Sequence, residues 1–224
     1  MNIWTIMIII MILSFLVQQT LQSRFNKYSK VGLPNGMSGA EVAQKMLRDH
    51  GIYDVKVVLA RGMLTDHFNP QTKTVALSEG VYSSRSVAAA AVAAHECGHA
   101  VQHAYGYAPL KMRTALVPAV SFASNTVQWI LLAGVIFFQT FPGLLWFGIA
   151  LFAITTLFSF ITLPVEINAS ARAIGWLNKS GITDSHTSPM AIDALKWAAY
   201  TYVIAALSSL ATLLYYIGIA RSRD

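Results

Sequence analysis

The stretch VAAAAVAAHECGHAVQHA, residues 87–104, decides how the rest of the chain is arranged. The eight residues before His95 are all Val or Ala, and Ala has the highest helix propensity of any residue. The Tyr-Gly-Tyr sequence at 105–107 then ends the helical pattern. We therefore predict one helix that carries three of the chain's six histidines.

Two of these histidines have the spacing of a metal site. His95 and His99 are four residues apart, so their imidazoles lie on one face of the helix and can reach one cation. Glu96 is rotated by roughly 100° about the axis, which places its carboxylate beside the ion as a base and not as a ligand. This is the H-E-x-x-H arrangement of zinc metalloproteases, and we predict that it binds one Zn²⁺ ion. The alternative is a solvated helix face, but a charged Glu in an apolar segment is costly to bury without a partner.

Two further residues inside the motif concern packing. Gly98 leaves room for a close neighbour without ending the helix. Cys97 is the chain's single cysteine, so it forms no internal disulfide. On the helix it points away from the histidine face, and we predict a buried, inert thiol.

The composition is that of a membrane protein. Hydrophobic residues make up 55% of the 224 residues and charged residues only 12%, against about a quarter charged in soluble domains. Lys and Arg exceed Asp and Glu by 16 to 10, but the basic residues are scattered and do not form a stripe with aromatic residues. We therefore expect no nucleic-acid partner and attribute the excess charge to anionic lipid.

Four apolar stretches are long enough for the about 20 residues that cross a bilayer. The first, within residues 1–23, lacks a basic start and a small-residue cleavage pattern, so we predict a retained anchor rather than a signal peptide. The second and third, within residues 108–163, are joined by a Pro-Gly turn and form a helical hairpin. The last, residues 188–220, begins with a Ser-Pro pair typical of a helix start.

Between the first two spans, residues 32–107 are polar enough for a small aqueous domain. Ser38 and Glu41 form a capping box before a short helix. Residues 55–60 and 72–78 have strand patterns, and we expect them to pair as a hairpin. The second strand would either align an extended peptide along its edge or only complete the sheet.

A catalytic zinc site usually has three protein ligands, so one ligand remains to be found. His103 lies roughly 12 Å along the helix axis from the first histidine, which is too far. Asp184 and His186 lie in GITDSHTS, which has the pattern of a loop. Glu166 follows an apolar span, where an ionisable group needs a partner, and we predict it as the third ligand. The alternative is a carboxylate that reaches water or pairs with Arg172.

With HECGH at 95–99 and EINAS at 166–170, the chain resembles the bacterial membrane-anchored neutral zinc metallopeptidases of the YugP type. The resemblance extends to LTDHFNPQTKTVALSEGVY at 64–82 and LPVEINASARA at 163–173. A more distant resemblance is to the HtpX and CAAX-prenyl proteases, whose Glu-x-x-Ala-Asp segment supplies the third zinc ligand.

Two residues depart from these patterns. Ser170 stands where the distant relatives have Asp, and Asn168 stands where Asp is expected in the nearer family. Both positions bear on the groups that orient the ligands.

We therefore expect a mainly α-helical integral membrane protein, in which about four transmembrane helices carry a small α+β domain of the zincin-like (gluzincin) type. Its predicted segments are an N-terminal anchor (1–23), the zincin-like domain (32–107), the helical hairpin (108–163), a third-ligand segment and loop (164–187) and a C-terminal span (188–220).

Positive charge predicts the orientation in the bacterial cytoplasmic membrane. Most basic residues near the spans lie on the side of the catalytic helix, which the positive-inside rule places in the cytoplasm. The residues are Arg24, Lys27, Lys30, Lys111, Arg113, Arg172, Lys179 and Lys196 on that side, and Arg221 and Arg223 on the other.

The predicted activity is zinc-dependent hydrolysis of peptide bonds near the membrane surface, with Glu96 as the general base and a peptide or protein as substrate. The candidate donors to the developing oxyanion are His67, Tyr105, Arg172 and His186.

Two other functions stay open. A site-2-type intramembrane protease would use a similar motif, but its LDG-like motif with an Asp ligand is not found in this sequence. A non-catalytic zinc-binding scaffold or sensor would bind the metal without needing Glu96.

Overall fold

The computed structural model describes residues 3–62 and 65–223 of the chain. Residues 1 and 2 of the predicted anchor lie outside these ranges. In chain order, the elements are α1 (Ile3–Tyr28), α2 (Gly39–Asp49), β1 (Lys56–Ala60), β2 (His67–Asn69), β3 (Thr74–Ser78), α3 (Glu79–Tyr82), α4 (Val87–Ala104), α5 (Ala108–Ile136), α6 (Pro142–Lys179) and α7 (Ser188–Arg223). The fold is therefore mainly helical, with one small sheet.

Four helices of the described residues, α1, α5, α6 and α7, are long and apolar enough to cross a membrane. These helices are 25 to 38 residues long, more than the about 20 that a span needs. At most 28% of the most apolar window of each helix is buried by the rest of the described chain. These helices occur where the sequence predicts them, and they leave broad apolar surfaces exposed.

The third of these helices continues beyond the apolar stretch. α6 passes through Pro164 without a break and ends at Lys179. Proline removes a helix hydrogen bond, but the helix is held in place by packing after this point, because Val165 and Ala169 are fully buried. Glu166 therefore lies within a helix, and only the residues after Lys179 form the loop to α7.

The predicted pairing of the strands is wrong. β1 and β3 are neighbours but run parallel, and the hairpin is formed instead by β2 and β3, in the sheet order β1-β3-β2. The side-chain oxygen of Asn69 accepts hydrogen bonds from the backbone of Gln71 and Thr72, at 2.9 and 3.2 Å, and closes this hairpin. A three-residue strand is too short to be recognised from a pattern of alternation. Because β3 is paired on both sides, it offers no edge to a peptide, whereas β2 is an edge strand.

The short helices begin and end as the sequence indicates. The capping box of Ser38 and Glu41 is present at the start of α2. Ser86 caps α4 by accepting a hydrogen bond from the backbone of Ala89. α4 ends before Gly106, whose φ of +64° is a left-handed conformation that glycine adopts without strain.

α4 lies at the centre of the main core. Its Val and Ala side chains are packed among α2, the sheet, the end of α6 and the start of α7. Representative members of this core are Val42, Met46, Val75, Leu77, Ala90, Val101, Leu177, Ile182 and Leu195. The core thus extends beyond residues 32–107, and it holds α4 firmly against α6 and α7.

Candidate metal centre

The three predicted ligands meet between α4 and α6. The Nε2 atoms of His95 and His99 lie 3.2 and 3.5 Å from the same carboxylate oxygen, Oε2 of Glu166. One ligand atom of each residue lies within 4.8 Å of those of the other two. Glu166 is only 2% exposed. A cation between these atoms would therefore be held by two nitrogens and one oxygen in a site largely shielded from solvent.

Gly98 explains how the two helices come so close. A Cβ atom at this position would lie 2.6 Å from the carbonyl oxygen of Ala169 in α6. Any larger residue would push the two backbones apart. The prediction that Gly98 leaves room for a close neighbour is confirmed, and the neighbour is the turn of α6 that carries Glu166.

The buried side chain of Gln102 orients His99. Its Nε2 donates hydrogen bonds to the carbonyl oxygen of Val165, at 2.7 Å, and to Oδ1 of Asn168, at 3.0 Å. Because the amide nitrogen is fixed by these two acceptors, Oε1 faces Nδ1 of His99 at 3.0 Å. This arrangement keeps the proton on Nδ1 and leaves Nε2 free to bind a metal.

Asn168 is oriented in turn by Arg172. The guanidinium Nε donates to the same Oδ1 at 2.8 Å. One alternative interpretation of the sequence pairs Arg172 with Glu166, but Arg172 is bonded to Asn168 instead. The basic residue next to Glu166 is Arg113 of α5, whose Nη1 lies 3.6 Å from the other carboxylate oxygen of Glu166.

His95 has an outer partner of its own. Its Nδ1 lies 3.0 Å from Oγ of Ser170, which is buried. A hydroxyl can accept the Nδ1 proton as a carboxylate does. At position 170, where Asp is expected from the distant resemblance, Ser170 therefore gives His95 a neutral outer partner.

The local charge favours a cation. Burial by itself lowers the pKa of His99, but the hydrogen bond to Glu166 and the charges of Glu96 and Glu166 outweigh burial and raise that pKa. The same negative groups that hold a proton on an imidazole attract a metal ion. Two imidazoles and one carboxylate with oriented outer partners are also a donor set of catalytic zinc sites, so the residues present fit Zn²⁺.

Glu96 lies next to the ligands and borders two cavities. The first, here named the strand-side cavity, has a volume of about 510 Å³ and lies between β2 and the helices α5 and α6. The second, named the helix-side cavity, has a volume of about 210 Å³ and lies between α1 and α7. Their shared wall is formed by Asp66, His95, Glu96, Glu166 and Tyr202. A substrate in either cavity can therefore reach the carboxylate of Glu96.

The other polar residues of the sequence analysis lie apart from the ligand cluster. His103 borders the strand-side cavity, with its ring centroid 5.8 Å from that of Phe68. Asp184 accepts hydrogen bonds from the backbone of His186 and Thr187 at the start of α7. Cys97 is buried, and burial raises the pKa of its thiol.

Of the four predicted oxyanion donors, only His67 borders the strand-side cavity. Tyr105 is 65% exposed at the end of α4. Arg172 is bonded to Asn168, and His186 lies in the loop before α7. None of these three borders the two cavities around Glu96.

The sequence analysis did not predict that Arg113 and Tyr202 lie at the site. Arg113 borders the strand-side cavity, Tyr202 borders both cavities, and Tyr202 interacts with Glu166. A charged residue near an apolar span is a signal that could have identified Arg113. Tyr202 lies among several aromatic residues of α7 and has no such signal.

Comparisons with known proteins identify the family of the chain. Over residues 3–221, the chain matches the family described as "Putative neutral zinc metallopeptidase", and it belongs to this family. It is 43% identical over 205 residues to the "Putative membrane protease YugP" of Bacillus subtilis (strain 168), an alignment that covers 92% of this chain and 90% of that protein. No solved structure matches the chain. The family resemblance found in the sequence is thus confirmed.

Proposed function

We propose that the chain is a membrane-embedded, zinc-dependent metalloendopeptidase of the gluzincin type that hydrolyses peptide bonds near the membrane surface. The observation that carries this proposal is the meeting of His95, His99 and Glu166 around one point, with Glu96 beside them at the wall of two cavities. These three residues would hold one Zn²⁺ ion, and Glu96 remains free for proton transfer.

The chemistry divides between the metal and the chain. Zinc bound at this site supplies a Lewis acid that polarises the scissile carbonyl and acidifies the attacking water. Glu96 accepts a proton from that water and delivers it to the leaving amine as the C–N bond breaks. The hydroxyl of Tyr202 and the guanidinium of Arg113 border the same space and can donate hydrogen bonds to the developing oxyanion.

The strand-side cavity suits an extended peptide. It runs along β2, the edge strand of the sheet, and reaches Glu96 and the ligands. An edge strand can pair with a peptide backbone whatever its side chains are. We assign the peptide backbone of the substrate to this cavity.

The four long apolar helices and the distribution of charge support a multi-pass protein of the bacterial cytoplasmic membrane, with the catalytic side in the cytoplasm. Arg24, Lys111, Lys179 and Lys196 lie where α1, α5, α6 and α7 adjoin the part of the chain that contains α4. The site then acts close to the inner surface of the bilayer.

A site-2-type intramembrane protease fits the structure less well. α4 packs against α2 and the sheet and is not among the long helices that could span a membrane within residues 3–62 and 65–223. A zinc-binding scaffold would use the same three ligands but would not need Glu96 for proton transfer.

The test is to purify the full chain, measure bound zinc, and assay cleavage of a peptide library. We expect about one zinc per chain, cleavage that a chelator abolishes, and recovery on adding zinc back. A chain that binds zinc and cleaves no peptide contradicts the proposal and supports the scaffold or sensor.

A further inference from the structure

The helix-side cavity is lined, apart from Asp66, by residues of the helices α1, α4, α6 and α7. At its inner end lie Ser170 and the shared wall of Asp66, His95, Glu96, Glu166 and Tyr202. Apart from Gln18 and Gln22, the outer wall is apolar, and it consists of Leu21, Phe25, Val92, Leu195, Ala198 and Ala199 from α1, α4 and α7. The cavity therefore offers an apolar enclosure that opens onto the metal centre.

We infer that the helix-side cavity is a specificity pocket for one bulky apolar side chain of the substrate, next to the bond that is cleaved. The inference rests on the proposed peptidase function and adds the class of substrate to it. The preferred substrates are peptides with a residue such as Leu or Phe beside the scissile bond.

The size of the cavity matches a single side chain. An apolar cavity of about 150 Å³ holds a benzene molecule, whereas pockets for whole small-molecule ligands measure about 300–1,000 Å³. The 210 Å³ of the helix-side cavity lies between these limits. It is large enough for an isobutyl or benzyl group and too small for an entire drug-sized molecule.

The charges at the inner end do not make the cavity a pocket for Lys or Arg. Glu166 already pairs with two histidines and with Arg113. Asp66 accepts hydrogen bonds from the backbone and hydroxyl of Ser78, at 2.7 to 3.0 Å. Glu96, the remaining carboxylate at the inner end, is the general base of the proposed mechanism and faces the scissile bond. The apolar outer wall offers no charged partner, and enclosing a cationic head without one is costly.

The position of the cavity fixes which side chain enters it. Because the two cavities share the wall that contains Glu96, a peptide backbone in the strand-side cavity places its scissile carbonyl at that wall. A neighbouring side chain then projects through the shared wall into the helix-side cavity. Ala198 and Ala199 of α7 line the pocket with small side chains, so a larger residue at either position would take up part of its volume.

A matched pair of variants tests this assignment. Ala199→Leu fills the cavity, whereas Ala205→Leu makes the same change at an exposed position of the same helix outside it. Both are compared with the wild type on peptides that carry Ala, Leu, Phe or Lys at each position flanking the cleaved bond. Bound zinc and melting temperature are measured for every variant.

At one flanking position, we expect the wild type to favour Leu or Phe over Ala by at least about tenfold in kcat/KM. Ala199→Leu should reduce this ratio by at least about tenfold while it still cleaves the Ala peptide, and Ala205→Leu should keep the ratio. Should Ala199→Leu not fold, Val92→Ala enlarges the same cavity and should shift the preference from Leu towards Phe. Peptide binding to zinc-loaded Glu96→Gln should show the same order of preference without turnover.

The opposite outcomes are distinct. Cleavage without an apolar preference, a preference for Lys, or an unchanged ratio in both cavity variants overturns the pocket and leaves the peptidase function standing. A bound lipid that mass spectrometry finds in the wild type and not in Ala199→Leu, with no change in peptide preference, assigns the cavity to lipid and overturns the pocket. A zinc-loaded wild type that cleaves no peptide overturns the proposed function and the pocket with it.

Discussion

Oε1 of Gln102 lies 3.0 Å from Nδ1 of His99, and the rest of the Gln102 amide is committed to Val165 and Asn168. The glutamine is completely buried. The tautomer of a proposed metal ligand is thus set by a residue one turn further along its own helix and by two residues of α6. In the proposed zinc site, Gln102 is a positioning residue, since it would act on the metal only through His99.

Replacing Gln102 by Met should therefore weaken zinc binding. The change keeps the volume of the side chain but removes the acceptor of the Nδ1 proton and two donors to α6. We expect zinc affinity to fall by about 10–100-fold, the usual effect of losing an outer partner. Zinc titration against a competing chelator measures this, with Gln44→Met on the exposed face of α2 as the control. Equal affinities in the two variants would rule out the orienting role.

Gly98 should be equally sensitive to a very small change. Gly98→Ala places a Cβ atom against the backbone of Ala169, so α4 and α6 must separate. We expect a loss of stability of about 1–3 kcal/mol, typical of overpacking, together with weaker zinc binding. Gly175→Ala is the matched control, because a Cβ atom at this position of α6 meets nothing within 4 Å. If both variants melt and bind zinc alike, the close approach of the helices is not what forms the site.

Removal of the third ligand gives a direct test of the metal centre. Glu166→Ala leaves two imidazoles and an unpaired Arg113, and we expect a loss of zinc affinity greater than the about 10–100-fold of an outer partner. Asp184→Ala removes only hydrogen bonds at the start of α7 and should keep its zinc. Metal analysis at limiting free zinc compares the two variants. If Glu166→Ala retains its zinc and Asp184→Ala loses it, Glu166 is not the third ligand.

Part of the site could be predicted from the sequence. The spacing of His95 and His99 is a property of one helix, and the apolar surroundings of Glu166 are visible in its neighbours. The spacing of three residues between His99 and Gln102 was a further local signal that could have been used. Arg113 and Tyr202 come from helices whose positions depend on packing of the whole chain, so their places could not be predicted.

The sheet shows the same limit. Strand patterns at 55–60 and 72–78 were present in the sequence, but their parallel direction depends on β2, which has only three residues. Asn69 closes the turn between β2 and β3, but its hydrogen bonds are local and do not determine the direction of β1 relative to β3. A prediction from local pattern therefore found two strands and paired them in the wrong direction.

The orientation in the membrane can be tested with single cysteines. Pro34→Cys lies on the loop after α1, and Thr140→Cys lies on the turn between α5 and α6, both at exposed positions. In intact cells, an impermeant thiol reagent should label Thr140→Cys and not Pro34→Cys. Native Cys97 should contribute little signal, because it is buried and burial raises the pKa of its thiol. The reverse pattern of labelling would place the catalytic side outside the cytoplasm.

The role of Glu96 separates an enzyme from a passive zinc site. Glu96→Gln keeps the shape of the side chain but cannot accept a proton from water. We expect turnover to fall by at least about 10²-fold, the lower end for a positioned proton-transfer group. Zinc content should stay near that of the wild type, because Glu96 lies outside the group of His95, His99 and Glu166. Peptide cleavage and bound metal are measured on the same preparation, so that a loss of activity cannot be mistaken for a loss of zinc. An undiminished rate in Glu96→Gln would contradict the general-base mechanism, while a loss of zinc would show that the carboxylate takes part in holding the metal.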